Sequence, residues 1–220
     1  MNSTDPIYPY QNLFITARPG MGATTLVTNI LNKYLKNGKK CLVFDSKTRS
    51  FLSYIERERV IRENTNVDDI RKFTIFEEYD NLTVTYNPFI FSDILLSVVE
   101  EKDPDIIVYE ENANVIHENQ TKELIEFAKE LRRRGKIFIF VTHLKMRNNP
   151  LTHTEKNSLS VSRHRKATPY FDAAAIVYRN GYYGEVEEVI EEIRIYEPGK
   201  KKYRAVPVEF DFRHQRVKRK

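Results

Sequence analysis

The sequence predicts an α/β fold, a single domain with a mainly parallel central sheet and helices on both of its faces. Two observations lead to this prediction. Short, wholly apolar runs, typical of strands that are buried on both sides, alternate with helical patterns as far as residue 141. The length of 220 residues suits one domain and buries enough surface to fold without disulfides.

The composition is that of a folded protein. Apolar residues make up 40% of the chain and charged residues 30%, which excludes wholesale disorder. No apolar run approaches the roughly 20 residues of a membrane span, and the first ten residues lack a signal-peptide core. We therefore expect a cytoplasmic protein that does not enter a membrane. The single cysteine, Cys41, excludes an internal disulfide, and its apolar neighbours predict a buried, inert thiol.

The first elements enclose a turn rich in glycine. Residues 13–16 form a short apolar run that predicts a strand, and a turn containing proline and two glycines follows at 17–22. From Thr24 the apolar residues recur at helical spacing, and this pattern ends near Asn37 and Gly38. The expected order is therefore strand, tight turn and helix.

The same periodicities predict the remaining elements. Strands are expected at 41–44, 72–76, 106–109, 137–141, 173–178, 190–196 and 205–210, and helices at 50–62, 93–101 and 121–134. Residues 146–168 are polar and weakly patterned. The last two strands are expected to pair around Pro198 and Gly199. The predicted organisation is one domain, 1–212, and a basic tail, 213–220.

The net charge of +5 is concentrated in that tail. The last eight residues hold five basic residues and no acid, so residues 1–212 are electrically balanced. Such a tail is typical of a protein that binds a polyanion such as DNA, and equally of a solvated end that aids solubility.

The turn after the first strand has the layout of a phosphate-binding loop. Backbone N–H groups and the positive end of the helix dipole converge there on one point, which suits an anionic phosphate. In the full motif a lysine reaches the terminal phosphates and a hydroxyl binds Mg²⁺. Here Ala23 stands at the lysine position, so on the loop alone an ordinary strand-to-helix turn remains the alternative. The predicted nucleotide-binding residues are Arg18, Pro19, Gly20, Met21, Gly22, Ala23, Thr24 and Thr25.

Polar residues follow two buried strands at the points where a nucleotide site is expected. One strand leads into Glu110 and Glu111, and two carboxylates in this place can hold Mg²⁺ through water and polarise an attacking water. A solvated pair at a helix start is the alternative. The other strand leads into Thr142 and His143, and His143 is a candidate for contact with the γ-phosphate, with a purely structural histidine as the alternative.

At these residues the chain resembles the ATPase core of DnaB-type replicative helicases and phage primase–helicases. Residues 17–25 are similar to the family's R-P-x-M-G-K-T loop, and 140–145 to its sensor strand with His-Leu-Lys. Residues 171–183 resemble a late strand and the tyrosines after it, and the turn at 198–199 resembles the closing hairpin. The resemblance covers residues 11–212 in order. It implies a RecA-like core that binds single-stranded DNA, usually as a ring with ATP sites between subunits.

The resemblance also implies roles for the acids and the histidine. Glu110 takes the place of the family's metal-binding aspartate, and Thr24 is its hydroxyl partner at Mg²⁺. The second strand of the family ends in a catalytic glutamate, whereas this chain has Asp45 there and Lys47 close by. The candidate bases are therefore Asp45 and Glu111, and His143 is the candidate sensor of the γ-phosphate.

Two departures from the family concern cations. The lysine of the loop is Ala23, and the basic pair of the closing hairpin has Glu197 and Gly199 as its nearest positions, with Lys200 alongside. Losing one electrostatic group from a preorganised site costs about 2.7–4 kcal/mol, and losing a trans-acting basic finger costs roughly 10³–10⁵ in rate. We expect hydrolysis to be weak or absent in the chain as written.

Three explanations of Ala23 remain open. The native lysine has been replaced to trap an inactive state, or the protein is a natural relative that does not hydrolyse ATP, or Lys47 supplies the cation from the neighbouring strand end. The sequence favours none of them decisively.

Basic residues near the sensor strand are the candidate DNA contacts. In the family a loop after this strand lines the ring's channel, and Lys and Arg on such loops contact phosphates without reading sequence. Solvated loop charge is the alternative. The predicted DNA-binding residues are Lys145, Arg147, Arg163, Arg165 and Lys166.

The resemblance therefore implies a helicase-like ATPase module that acts on single-stranded DNA in replication or recombination. Its ligands are ATP and Mg²⁺, its partners are further copies of itself and other replication proteins, and its compactness is that of a viral or plasmid protein. One alternative is a viral DNA-packaging motor, for which adjacent acids such as Glu110 and Glu111 are common. The other is a pseudo-ATPase that serves as a binding or assembly module.

Overall fold

The computed structural model describes residues 10–45, 81–86, 90–111, 119–144, 164–180, 188–200, 202–212 and 216–220. These residues form one nine-stranded sheet in the order β3-β2-β4-β5-β1-β6-β7-β8-β9. The strands are β1 (Asn12–Ala17), β2 (Cys41–Asp45), β3 (Leu82–Tyr86), β4 (Ile106–Glu110), β5 (Ile137–His143), β6 (Ala173–Arg179), β7 (Glu191–Tyr196), β8 (Arg204–Asp211) and β9 (Arg216–Arg219).

Six strands, β1 to β6, are mutually parallel, and β7 to β9 continue the sheet in antiparallel pairs. Three α-helices cover it: α1 (Ala23–Lys36), α2 (Ser92–Lys102) and α3 (Gln120–Arg133). A short 3-10 helix, Arg165–Tyr170, precedes β6. The predicted α/β class, with a mainly parallel sheet flanked by helices and a C-terminal hairpin, is confirmed.

The sheet has an apolar core on each face because side chains alternate along every strand. In β1, Leu13 and Ile15 point to the face that α1 covers, whereas Phe14 points to the face covered by α2, α3 and the 3-10 helix. The second core is aromatic, and Phe127 of α3 packs edge to face on Phe138 with ring centroids 5.2 Å apart. Burial on both faces explains why these strands are apolar throughout.

The antiparallel extension shares the α1 core. Alternate residues of β7 and β8, among them Ile193 and Val208, are buried beside it. The hairpin predicted around Pro198 and Gly199 is present, with β7 and β8 paired antiparallel.

Two strands differ from the expectation. Residues 82–86 form β3 beside β2 although no strand was predicted there, and their Leu-Thr-Val-Thr-Tyr sequence does carry the period of two. The tail was expected to be a solvated end, but residues 216–219 pair with β8, and the Val217 N–H donates to Asn29 Oδ1 of α1 at 3.2 Å. The predicted helix at 50–62 and strand at 72–76 lie outside the described residues.

The inert thiol predicted for Cys41 is confirmed. Its side chain is buried at the start of β2, and this burial raises the pKa of the thiol to about 12. Within the described part of the chain, none of the helices is long and apolar enough to cross a membrane.

Candidate functional site

The carboxyl ends of the parallel strands bring the predicted site residues to one edge of the sheet. In the β-ladder Asp45 of β2 lies opposite Glu110 of β4, and Ala17 of β1 lies opposite His143 of β5. Residues that are far apart in the sequence therefore share one edge, which is where open α/β sheets bind their ligands.

The loop that follows β1 has the backbone geometry of a phosphate cradle. Gly20 and Gly22 adopt positive φ angles of 76° and 99°, and the Met21 N–H donates to the Arg18 carbonyl oxygen at 3.2 Å. The first intrahelical bond of α1 runs from the Leu26 N–H to the Gly22 carbonyl oxygen. Because the N–H groups of a helix's first turn have no partner within the helix, they are available to an anion at this end.

Two phenylalanines of β8 and the residues after it fix the position of Gly22. A Cβ on Gly22 would lie 2.8 Å from the Phe210 ring and 3.2 Å from the Phe212 ring. The two rings stack on each other at an interplanar angle of 10°. Only glycine fits between this floor and the left-handed backbone of the loop.

A buried ion pair holds the floor in place. The Phe210 N–H donates to Glu191 Oε2 at 3.0 Å, and Glu191 pairs with the Arg179 guanidinium at 2.9 Å. Both charged side chains are at most 4% exposed, and Arg179 lies over the Phe212 ring, 5.0 Å from its centroid. Removing one member of a buried pair leaves an uncompensated charge, so this contact constrains β6, β7 and β8 together.

The hydroxyl of Thr24 donates to Glu110 Oε1 at 2.8 Å. Thr24 opens α1 and is half-buried, and Glu110 closes β4 and is 1% exposed. A hydroxyl and a carboxylate side by side are hard oxygen ligands, which Mg²⁺ prefers, and phosphates and water usually complete its coordination. This pair and the glycine cradle therefore fit a nucleotide with Mg²⁺. Elsewhere in the described ranges no three His, Cys, Asp or Glu side chains form a metal-binding group.

Position 23 carries no charge, and its side chain is part of the core. Ala23 is 5% exposed and packs in the cluster that includes Leu26 and Val27. Arg18 is half-exposed in the first half of the loop, whereas Lys47 lies outside the described residues.

The two remaining candidate catalytic acids are both buried, and Glu111 has visible partners. Thr142 donates its hydroxyl to Glu111 Oε2, and His164 Nε2 lies 2.6 Å from Glu111 Oε1. Asp45 is fully buried at the end of β2. His143 is half-exposed at the end of β5, beside the base of the loop.

The candidate DNA-binding residues divide into two groups. Arg165 and Lys166 are exposed on the 3-10 helix, which packs against α3. Lys145, Arg147 and Arg163 lie outside the described residues.

Sequence reasoning missed Phe210, Phe212 and His164. The two phenylalanines belong to an ordinary apolar strand pattern, and nothing in that pattern shows that they meet a glycine near the other end of the chain. His164 stood inside a basic stretch, which hid its burial. The glycine at position 22 was the one local signal of a close approach.

Comparisons with known proteins place the fold. No protein-family model matches the sequence, and no curated protein matches it. A solved ATPase domain of a DnaB-like helicase matches with a TM-score of 0.67 at 16% identity, over 94% of this chain and 84% of that one. A KaiC-like protein from the archaeon Pyrococcus horikoshii matches with a TM-score of 0.63 at 13% identity, over 96% of this chain and 90% of that one.

A third match is a DnaB-like replicative helicase described together with its interactions with primase. Its TM-score is 0.62 at 16% identity, and the match covers 94% of this chain. It covers 57% of the helicase chain, so this protein spans little more than half of that relative's length. Together the matches show that the chain has the RecA-like fold of helicase ATPase domains.

Substitution of Gly22 tests the cradle. We expect Gly22→Ala to weaken nucleotide binding at least about tenfold, or about 1.4 kcal/mol, because a methyl group there strikes the Phe210 ring. Titration calorimetry with Mg–ADP measures the loss. The control is Gly38→Ala, which has a similar φ of 73° but no atom within 4 Å of the added Cβ. Equal losses in the two variants would contradict a specific role for the Phe210 floor.

Proposed function

We propose that the chain is a nucleotide-binding module of the replicative-helicase kind that acts on single-stranded DNA as part of a homo-oligomeric ring. The observation that carries this proposal is the hydrogen bond between Thr24 and Glu110, which stands beside the glycine cradle at the carboxyl edge of a RecA-like sheet. A compact core of this kind suits a viral or plasmid protein in the cytoplasm.

Each part of the site has a role in this proposal. Backbone N–H groups of residues 20–25 and the dipole of α1 bind the phosphates, while Thr24 and Glu110 orient Mg²⁺. When bound, Mg²⁺ neutralises phosphate charge. His143 contacts the γ-phosphate, and Asp45 or Glu111 accepts a proton from the attacking water. The Thr142 and His164 contacts occupy the Glu111 carboxylate, which favours Asp45 for this step.

The cations of the site support slow hydrolysis. Ala23 supplies no charge to the phosphates, and in the β7–β8 turn Lys200 forms an ion pair with Glu197 of the same turn. That ion pair also raises the pKa of Lys200. A lysine neutralised by its own turn is a poor cation for a neighbour's nucleotide, so both departures seen in the sequence act in the same direction.

The surface that carries Arg165 and Lys166 supports binding of single-stranded DNA. Both side chains are exposed, and the same 3-10 helix ends in Tyr170, whose ring lies 5.2 Å from the Lys129 ammonium group of α3. Positive side chains grouped in this way bind phosphates through charge, without reading the bases. Lys145, Arg147 and Arg163 extend the surface in sequence, and other replication proteins are candidate partners.

Two further functions follow from particular observations. The adjacent acids Glu110 and Glu111 also suit a viral DNA-packaging motor, which would depend on double-stranded DNA. The uncharged Ala23 also suits a pseudo-ATPase, which would bind DNA or a partner regardless of ATP.

Restoring the lysine tests hydrolysis. We expect Ala23→Lys to raise ATP turnover stimulated by single-stranded DNA by about 10²–10³, because the loop regains a cation at the phosphates. Phosphate release is measured for both chains with single-stranded, double-stranded and no DNA. Stimulation by duplex alone would favour the packaging motor. Silence in both chains despite nucleotide binding would contradict a motor and favour the pseudo-ATPase.

Charge reversal tests the DNA surface. We expect Arg165→Glu with Lys166→Glu to weaken binding of an oligothymidylate at least about tenfold and to lower the salt slope by ~0.7 for each phosphate that the protein no longer neutralises. Fluorescence anisotropy at several salt concentrations measures both quantities. Lys33→Glu with Lys36→Glu is the matched control, since it makes the same charge change on exposed residues of α1 on the other face. An equal effect of the control would show non-specific attraction only.

A further inference from the structure

A buried contact between His164 and Glu111 joins the nucleotide edge to the basic surface. His164 Nε2 lies 2.6 Å from Glu111 Oε1, and the two residues are 53 positions apart in the chain. Both side chains are nearly inaccessible, with 4% and 7% of their surfaces exposed. The proposed phosphate and metal chemistry has no use for this contact.

All described polar groups of the contact are engaged. Thr142 of β5 donates to Glu111 Oε2, and the Glu111 N–H donates to the Val141 carbonyl oxygen at 2.8 Å. On the other side, Thr121 Oγ1 of α3 lies 2.8 Å from His164 Nδ1. An ionised carboxylate only accepts, so His164 Nε2 carries the proton between them. The imidazole is therefore held at both nitrogens.

Packing fixes the histidine ring as well. It stands edge-on to Phe140 of β5, with centroids 5.6 Å apart and an interplanar angle of 77°. A ring held by two hydrogen bonds and an aromatic wall moves with its surroundings rather than independently of them. A displacement of Glu111 is therefore transmitted to His164.

The two ends of the contact belong to the two proposed binding sites. Glu111 directly follows Glu110, which bonds to Thr24 in the nucleotide cradle. His164 directly precedes Arg165 and Lys166, the exposed cations on the 3-10 helix. One hydrogen bond thus separates the peptide that orients the metal ligand from the peptide that presents the DNA-binding charges.

We propose that His164 is a positioning residue that, through its bond to Glu111, couples nucleotide binding to the presentation of Arg165 and Lys166 to single-stranded DNA. This inference rests on the proposed function, because both ligands come from it. A nucleotide that engages Thr24 and Glu110 shifts the end of β4, and the contact passes that shift to the 3-10 helix. A ligand changes an equilibrium only by its different affinity for the two arrangements, so the coupling is reciprocal.

The experiment measures this coupling by binding alone. The affinity for a fluorescein-labelled oligothymidylate is determined with and without saturating Mg–ATPγS, for the full chain and for each variant. His164→Leu removes the bond to Glu111, and His164→Gln retains a donor near the position of Nε2. Phe171→Leu is the control, since Phe171 packs in the same aromatic core beside the 3-10 helix but makes no polar contact with Glu111.

For the unmodified chain we expect nucleotide to change the DNA affinity by at least about fivefold. His164→Leu should reduce this ratio to about one while each ligand alone binds within about twofold of the unmodified chain. His164→Gln should restore most of the ratio, which a purely structural role would not predict, and Phe171→Leu should keep it.

A ratio preserved in His164→Leu would overturn the inference, as would a loss of the same size in His164→Gln and Phe171→Leu. A ratio of one in an unmodified chain that binds both ligands would overturn the inference and leave the proposed function standing. An unmodified chain that fails to bind nucleotide or DNA would overturn both.

Discussion

The hydrogen bond from Thr24 to Glu110 is the interaction on which the arrangement of the site depends. It joins the first turn of α1 to the end of β4, and β5 lies between β4 and β1 in the sheet. The bond is possible because the parallel register sets the carboxyl ends of these strands level at one edge. The phosphate cradle, the metal ligands and the candidate sensor His143 all follow from that alignment.

The C-terminal strands are part of the site rather than an appendage to it. Phe210 forms the floor below Gly22, and the buried pair of Arg179 and Glu191 holds that floor through the Phe210 N–H. The sheet therefore supports the loop from two sides, with parallel strands presenting side chains and antiparallel strands shaping the backbone. A cradle built in this way can hold phosphate by backbone groups alone, which is the property that a loop without its lysine requires.

The sequence predicted those features whose signal is local. Wholly apolar runs revealed the buried parallel strands, and the two glycines before Thr24 revealed the loop. Features that depend on distant residues were not predicted, because no local pattern shows that Phe210 meets Gly22 or that His164 meets Glu111. The strand at the C-terminus was hidden for another reason. Its basic composition is typical of a solvated tail, and its pairing depends on an edge of β8 that the sequence does not display.

Amide hydrogen exchange with and without Mg–ADP tests the central claim most directly, because the phosphates are proposed to bind to the backbone N–H groups themselves. Exchange should slow at residues 20–26 on addition of nucleotide, with a smaller effect around Glu110 at the end of β4. Unchanged exchange of the loop at saturating nucleotide, or protection confined to the basic 3-10 helix and β9, would contradict a phosphate cradle at Gly22.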